Sequence, residues 1–231
     1  MYKIYSLGER CLGVYFAKEI SREVNQKVIA LDRKLQGIPG ILETVPTYRA
    51  LAVYFEPAVI SFWELEKLVK RLAENLRDGV GQEETPRLYR IPVVYGGEFG
   101  PDLEEVAKVN NLTPEEVIAI HTKNRYYIYM LGFTPGFPYL GGLDPRIATP
   151  RKSSPRPRVE AGSVGIAGMQ TGIYPVASPG GWQIIGRTPL RLFNPENPEA
   201  PFLLEPGGYI EFYPISVEEY FRLGGEEVEV Y

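Results

Sequence analysis

The N-terminal part of the chain alternates short apolar runs with segments whose apolar residues recur at helical spacing. Strands are predicted where aromatic and β-branched residues cluster, at residues 2–7, 11–16, 48–55 and 87–94. One predicted helix follows the N-cap residue Ser21, and a second follows Ser61, which can form a capping box with Glu64. This order predicts a small α/β domain over residues 1–95, in which an open sheet carries two helices on one face.

Pro92 lies inside the last of these runs. Proline has no backbone N–H to donate to a neighbouring strand, so we expect it at a sheet edge. The run 87–94 is therefore predicted to be an edge strand of the first domain. Glycines between Gly96 and Pro101 mark the predicted junction with a second domain over residues 96–231.

The second domain is predicted to begin with two short helices and to continue as β structure. Asp102 is expected to cap the first helix, and the second begins at Thr113 and ends near His121. From Gly132 onward, glycine and proline recur every few residues and exclude a long helix over most of this region. Short β runs remain at 126–131, 164–167, 182–185, 190–193 and 209–213. Many short strands between turns predict a barrel or a sandwich, so the whole chain is predicted to be α+β.

Composition narrows the classes of partner. The 231 residues carry a formal net charge of −4, with one cysteine and one histidine. Such a chain has no overall positive field to attract nucleic acid or an anionic membrane, and it contains no apolar run long enough to span a bilayer. A lone cysteine excludes an intrachain disulfide and a cysteine-based zinc cluster, and it is typical of a reducing compartment. We expect a cytoplasmic protein that binds neither nucleic acid nor membrane and has no metal site of its own.

Basic residues are concentrated between residues 144 and 160. Arg156 and Arg158 alternate with prolines, which prevent a helix there. The pattern fits a solvated basic loop, or alternatively an anion clamp, because a guanidinium group can hold a carboxylate or phosphate with two hydrogen bonds. Arg187, between a glycine and a threonine, is a second candidate for anion binding.

The stretch 132–142 interleaves glycine, proline and aromatic residues. Glycine permits close backbone approach and proline fixes the backbone. The stretch is therefore either a structural corner of the barrel or the rigid lip of a pocket whose amides bind a substrate oxygen. The candidate substrate-binding residues, here and further along the chain, are Gly132, Phe133, Pro135, Gly136, Phe137, Arg156, Tyr174, Gly180, Gly181 and Trp182.

Long ordered motifs carry a resemblance to a known family. They are IHTKNRYYIYMLGFTPGFPYLGGL, TPRKSSPRPRVEAGSVGIAGMQTGIYPVASPGGWQIIGRTP and LLEPGGYIEFYPIS, with LGERCLGVYFAKEI and VPTYRALAVYFEP near the N-terminus. These motifs resemble the family that contains the B subunit of 5-oxoprolinase and the sporulation kinase inhibitor KipI. The same module is similar to subunit 1 of allophanate hydrolase and to part of the carboxyltransferase region of urea carboxylase. Glu160 departs from the family, which usually has proline there, and adds a carboxylate next to the arginines.

The resemblance implies a cyclophilin-like β-barrel as the second domain and a homologous partner, the C subunit of 5-oxoprolinase. Together with the A subunit, the complex would open 5-oxoproline, a small anionic amide, to glutamate in a reaction driven by ATP. ATP is thus the expected cofactor, with Mg²⁺ at a site shared with the partner protein. In that chemistry His121 would move a proton, Arg158 and Arg187 would bind anionic groups, and Gln170 would orient the lactam. The resemblance leaves two alternatives: a KipI-like inhibitor of a histidine kinase, and a urea- or allophanate-type carboxyltransferase subunit that receives biotin from a partner.

Overall fold

The computed structural model describes residues 2–76 and 86–225. The chain divides into two compact units, Met1–Thr85 and Pro86–Tyr231, and each has its own hydrophobic core. Among the described residues, every helix is too short or too polar to cross a membrane.

The first unit is an antiparallel four-stranded sheet with two helices. Its elements are β1 (Lys3–Gly8), β2 (Cys11–Tyr15), α1 (Arg22–Leu35), β3 (Ile41–Pro46), β4 (Ala50–Phe55) and α2 (Phe62–Asn75). The strands are ordered β1-β2-β4-β3. Ser21 caps α1, and Ser61 with Glu64 forms the capping box of α2. The predicted open sheet with two helices is confirmed, whereas β3 was not predicted, because its alternating pattern lies in a short run between turns.

One face of this sheet forms the core with both helices. Leu12 and Val14 of β2 and Leu51 and Val53 of β4 are fully buried, as strand alternation requires for a single packed face. They pack against the apolar faces of α1 and α2, which contribute Val28, Leu31, Leu35, Leu65 and Val69.

The second unit contains the remaining elements. They are β5 (Leu88–Tyr95), α3 (Leu103–Val109), α4 (Pro114–Lys123), β6 (Arg125–Leu131), β7 (Pro138–Gly141), a 3₁₀ turn (Pro145–Ile147), β8 (Arg156–Val159), β9 (Ser163–Ala167), β10 (Gln170–Ile173), β11 (Ser178–Gly180), β12 (Gln183–Arg187), β13 (Tyr209–Pro214) and α5 (Val217–Arg222). Seven strands form one sheet in the order β10-β9-β12-β5-β13-β6-β7. Its two end strands, β10 and β7, contact each other. The predicted barrel is therefore confirmed as a nearly closed seven-stranded barrel, with β8 and β11 as a separate two-stranded ribbon.

The position of β5 differs from the sequence-based prediction. It belongs to the second unit, since the division falls at Thr85 rather than after residue 95. It is also an interior strand, between β12 and β13. The proline argument holds only locally: β13 pairs with residues Leu88 to Val93 of β5, whereas β12 pairs only with Val94 and Tyr95. Pro92 therefore lies where one side of the strand has no ladder to interrupt.

Two further predictions about the second unit are wrong. The run 190–193 forms no strand, and of it only Phe193 makes an isolated β-bridge, with Phe202. Asp102 occupies the N-cap position of α3, but its side chain makes no capping hydrogen bond. That carboxylate is engaged elsewhere, in the cation cluster described below.

Candidate functional site

A cavity of about 560 Å³ lies in the second unit. The segments 161–162, 175–177 and 187–191 form most of its wall, together with Phe193. Proline and aliphatic side chains make much of the lining apolar, whereas Arg187 and Arg191 supply cationic groups. The described lining residues include no histidine, cysteine or carboxylate. The cavity can therefore bind an anionic or polar group, and among its described lining residues Tyr220 is the one side chain of a type that commonly serves as a general acid or base.

Arg187 is the notable residue of this wall. It is the last residue of β12 and only 5% exposed. Its Nε donates a hydrogen bond to the carbonyl oxygen of Ala161 over 2.8 Å. Its Nη1 is buried and has no hydrogen-bond partner among residues 2–76 and 86–225. Arg187 thus carries an unused donor beside a cavity.

A tight turn at Gly162 positions Arg187. Gly162 has φ +82°, and a Cβ there would lie 2.3 Å from the carbonyl oxygen of Thr188. The Gly162 amide donates to Tyr174 O over 2.7 Å, and the Thr188 amide donates to Gly162 O over 2.9 Å. Only glycine allows this approach, which holds the Ala161 carbonyl against the guanidinium group.

Asp102 gathers two of the basic residues that the sequence placed together. It is buried, and its two carboxylate oxygens accept hydrogen bonds from Arg156 at 2.8 Å each. Lys152 Nζ donates at 2.9 Å, and the Ile184 amide donates at 2.7 Å. Burial alone would raise the pKa of Asp102, but the bonds from Arg156, Lys152 and Ile184 together lower it. The guanidinium fork of Arg156 is thus bound to a buried carboxylate and not presented to a ligand.

Arg158 is placed differently from Arg187. Its side chain is about half exposed and paired with Glu160, with Nε and Nη2 lying 2.6 and 3.2 Å from the two carboxylate oxygens. The Glu160 carboxylate therefore pairs with the arginine two residues before it. Arg158 is not among the residues that line the Arg187 cavity.

His121 lies in the core of the second unit and is fully buried. Its Nε2 is 2.9 Å from the hydroxyl of Thr171, which itself donates to Gly165 O. That hydroxyl must therefore accept from Nε2–H, and Nδ1 accepts from the Tyr95 hydroxyl at 2.8 Å. Burial lowers the pKa of His121 to about 3. Both ring nitrogens are bound by protein groups, so the predicted proton-moving role has no geometric support.

The candidate substrate-binding aromatic residues form a cluster. Phe137, Tyr174 and Trp182 are buried, with ring centroids of Tyr174 and Trp182 each 5.5 Å from that of Phe137. Gly180 belongs to the same cluster, because a Cβ there would lie 2.3 Å from the Tyr174 hydroxyl. Gly181 follows, and its carbonyl oxygen accepts from the Lys152 amide over 2.8 Å. The cluster fills space within the second unit.

The loop between β6 and β7 uses its amides internally. Gly132 N–H donates to Phe137 O over 3.0 Å, and Phe137 N–H donates to Thr134 O over 3.1 Å. Pro135 is exposed, and Gly136 turns the chain at φ +82°. Phe133 is unusual, because it has φ +70° although it is not glycine, and it is 70% exposed. The amides of Gly132 and Phe137 are therefore not open to a substrate oxygen.

The structure brings some predicted site residues together and separates others. Arg156 and the aromatic cluster are neighbours, since Arg156 contributes to the electrostatic environment of Tyr174. His121 and Gln170, the first residue of β10, are not among the residues lining the cavity of Arg187. Sequence analysis missed the role of Asp102, because a helix-cap position gave a sufficient local explanation for an aspartate. Sequence analysis also missed Arg191, which lines the cavity beside Arg187.

Comparison with known proteins gives consistent matches. The model of the family described as "carboxyltransferase domain, subdomain C and D" matches residues 2–204. The chain is 51% identical to the 5-oxoprolinase B subunit of Bacillus subtilis (strain 168), over 95% of each chain. It is 42% identical to the protein of that name from Haemophilus influenzae, over 93% of this chain and 99% of the other.

Solved structures agree on the fold. The crystal structure of TTHA0988 superposes with a TM-score of 0.79 at 41% identity, covering 90% of this chain. This chain corresponds to 40% of the TTHA0988 chain. Kluyveromyces lactis urea carboxylase shares the fold, with a TM-score of 0.70 at 22% identity over 96% of this chain and 22% of that one. The motifs quoted from the sequence, the small sheet, the barrel and these matches lead to one conclusion: the chain belongs to the family of carboxyltransferase domains, subdomain C and D.

Proposed function

We propose that this chain is the B subunit of an ATP-dependent 5-oxoprolinase and acts with the A and C subunits to hydrolyse 5-oxoproline to glutamate. The observation that carries the proposal is its identity of 38–51% to three proteins named as the B subunit of 5-oxoprolinase, each matched over at least 92% of this chain. At that level of identity over nearly full length, a shared role is the simplest interpretation.

The chemistry of the cavity supports the role of a subunit that is inactive alone. Hydrolysis of a stable lactam needs activation of its carbonyl oxygen and a group that transfers protons. The described lining residues supply cationic and backbone groups and one buried tyrosine, Tyr220, but no histidine, cysteine or carboxylate. His121 is buried in the core. The acid–base groups would therefore come from a partner protein.

ATP, when bound, would supply phosphorylation of the lactam carbonyl oxygen and so make the ring carbon electrophilic. A triphosphate with its Mg²⁺ carries several charges and normally binds to a glycine-rich loop or a set of cations with carboxylates for the metal. The cavity offers two arginines, one of them buried, and no carboxylate among its described lining residues. These residues do not fit Mg²⁺–ATP, so we place the nucleotide site on the partner proteins and derive no step through it.

Reconstitution tests the proposal. The chain is mixed with the purified A and C subunits, and ADP and glutamate are measured with and without 5-oxoproline. We expect 5-oxoproline-dependent ATP hydrolysis, with glutamate formed in equal amount, only when all three proteins are present. Equal turnover in the absence of this chain would contradict the proposal.

Carboxyl transfer is a second candidate, favoured by the description of the family that matches residues 2–204. It predicts biotin-dependent carboxylation of urea by a complex that includes this chain. The same purified chain can be assayed with urea and a carboxylated biotin carrier, and carboxylation of urea without any turnover of 5-oxoproline would select this candidate.

The kinase-inhibitor alternative stays a prediction. It fails if an excess of the chain leaves histidine-kinase autophosphorylation unchanged.

A further inference from the structure

Arg187 combines burial with the lack of an ion pair among the described residues, unlike three other arginines of the second unit. Arg156 is paired with Asp102, Arg158 with Glu160 and Arg125 with Glu211. Arg187 is the most buried of the four, yet no carboxylate within the described ranges 2–76 and 86–225 forms an ion pair with it. A buried, unpaired cation is costly, because it has lost its water without gaining a counter-charge. Such a residue beside a cavity indicates that the counter-charge arrives with a ligand.

The guanidinium group is held in place before any ligand binds. The bond from Nε to Ala161 O and the β-ladder of β12 with β9 and β5 fix the residue at both its side chain and its backbone. Nη1 is the donor left without a partner in the described part of the chain. Little conformational entropy is then lost when an anion binds, which favours recognition of a small ligand.

The wall around Arg187 indicates what the anion is attached to. Pro175, Pro189, Leu190 and Phe193 give the cavity apolar surfaces close to the single buried cation. Phosphate groups are usually held by several donors, such as a glycine-rich loop or clustered cations. One buried and one exposed guanidinium group, those of Arg187 and Arg191, beside apolar walls suit a carboxylate on a compact hydrocarbon ring better than a phosphate. The volume of about 560 Å³ is in the usual range for small-molecule sites.

We propose that the Arg187 cavity is a carboxylate-binding subsite for a small cyclic monocarboxylate. The site itself follows from the geometry, and its assignment to the carboxylate of 5-oxoproline rests on the proposed function. Arg187 forms the ion pair with the ligand carboxylate, and the proline and leucine side chains contact the ring. Arg187 is thus a binding residue, and the reacting lactam carbonyl is left for groups supplied by the partner protein.

Calorimetric titration of the full chain tests the site. The probes are 5-oxoproline, 2-pyrrolidinone (the same ring without the carboxylate), inorganic phosphate and ATP. We expect 5-oxoproline to bind and 2-pyrrolidinone to bind far more weakly. Arg187→Met should weaken 5-oxoproline binding about 30-fold, the usual effect of losing a hydrogen bond to a charged group. The matched control, Arg125→Met, removes an exposed arginine from an ion pair with Glu211 and should leave binding unchanged.

Loss of folding can be told apart from loss of binding. Arg187→Met removes an unpaired buried charge, so its melting temperature without ligand should equal or exceed that of the wild type, and Arg187→Lys should retain part of the affinity. Failure of the wild-type chain to bind 5-oxoproline, equal binding of 2-pyrrolidinone, or unchanged binding by Arg187→Met would each overturn the proposal. Tighter binding of phosphate or ATP than of 5-oxoproline would also overturn it, in favour of a phosphate subsite.

The titration and the reconstitution assay can refute the subsite and the proposed function independently of each other. If the three-protein mixture turns over 5-oxoproline and Arg187→Met leaves KM unchanged, the subsite is wrong and the proposed function stands. If the chain binds 5-oxoproline through Arg187 but the mixture does not hydrolyse it, the subsite stands and the proposed function is wrong.

Discussion

Acidification should destabilise the second unit through one residue, His121. The imidazole is fully buried and accepts the Tyr95 hydroxyl at Nδ1 while donating to Thr171 from Nε2. Burial lowers its pKa to about 3, whereas in the unfolded chain it should titrate near the ordinary value of 6.5. Between these values the unfolded state binds a proton that the folded state does not bind.

The sign and size of the effect follow from this difference. Since the unfolded state gains the proton first, the free energy of unfolding falls as the pH drops below about 6.5, by about 1.4 kcal/mol per pH unit, until the pH approaches about 3. Lowering the pH from 8 to 5 should therefore remove about 2 kcal/mol of stability. That is a large share of the stability of an ordinary domain.

Urea denaturation at pH 8 and pH 5 measures the effect. The chain has two tryptophans, so Trp182 fluorescence in a Trp63→Phe background reports on the second unit alone. The comparison variant is His121→Gln, which keeps a polar side chain but cannot titrate. It should be less stable than the wild type at pH 8, yet lose about 2 kcal/mol less on acidification. Equal losses in the two proteins would refute a neutral, buried His121.

Three further changes should separate the structural contributions. Asp102→Ala leaves Lys152 and Arg156 without their buried carboxylate and should lower the free energy of unfolding, measured by urea denaturation, by about 3 kcal/mol. The control Glu219→Gln breaks an exposed ion pair and should lower it by under about 1 kcal/mol. Equal losses in the two variants would contradict the importance of the Asp102 cluster. Gly100→Ala puts a Cβ 2.1 Å from a backbone carbonyl oxygen and should lower the melting temperature sharply or abolish soluble expression, so a variant with the wild-type melting temperature would show that the backbone yields there. Phe133→Asn replaces phenylalanine, which is strained in the left-handed backbone conformation, by a residue that tolerates it, and it should raise the free energy of unfolding by about 1 kcal/mol. A lower free energy of unfolding would mean that the exposed ring contributes packing.

Local signals in the sequence predicted most of the elements, and interactions distant along the chain explain the failures. Helix caps at Ser21 and Ser61 are short-range features, and both helices follow them. The position of β5 depends on pairing with β13, from the far end of the unit, and no pattern within the run 87–94 reveals that partner. Pro92 was informative about one side of the strand only, because proline interrupts a ladder where its missing N–H would have been used.

The sequence predicted which kinds of residue form the candidate site, but it did not predict which of the arginines lie together at the cavity. Composition and spacing identified Arg187 as an anion-binding candidate, and it lines the cavity. The sequence equally suggested Arg156 and Arg158, whose counter-charges are Asp102, distant along the chain, and Glu160, two residues away. Which arginine lacks a carboxylate is decided by folding, so no motif could separate Arg187 from the others.

The pairing of β5 with β13 has a consequence for how the protein is made. The first strand of the second unit lies parallel to its last strand, and their ladder runs from Leu88 to Val93 on β5. During synthesis on the ribosome the barrel therefore has an unfilled position until the segment Tyr209–Pro214 has emerged. Nascent chains that end before this segment leave β5 without its longest ladder, and they should be the species most in need of chaperone protection.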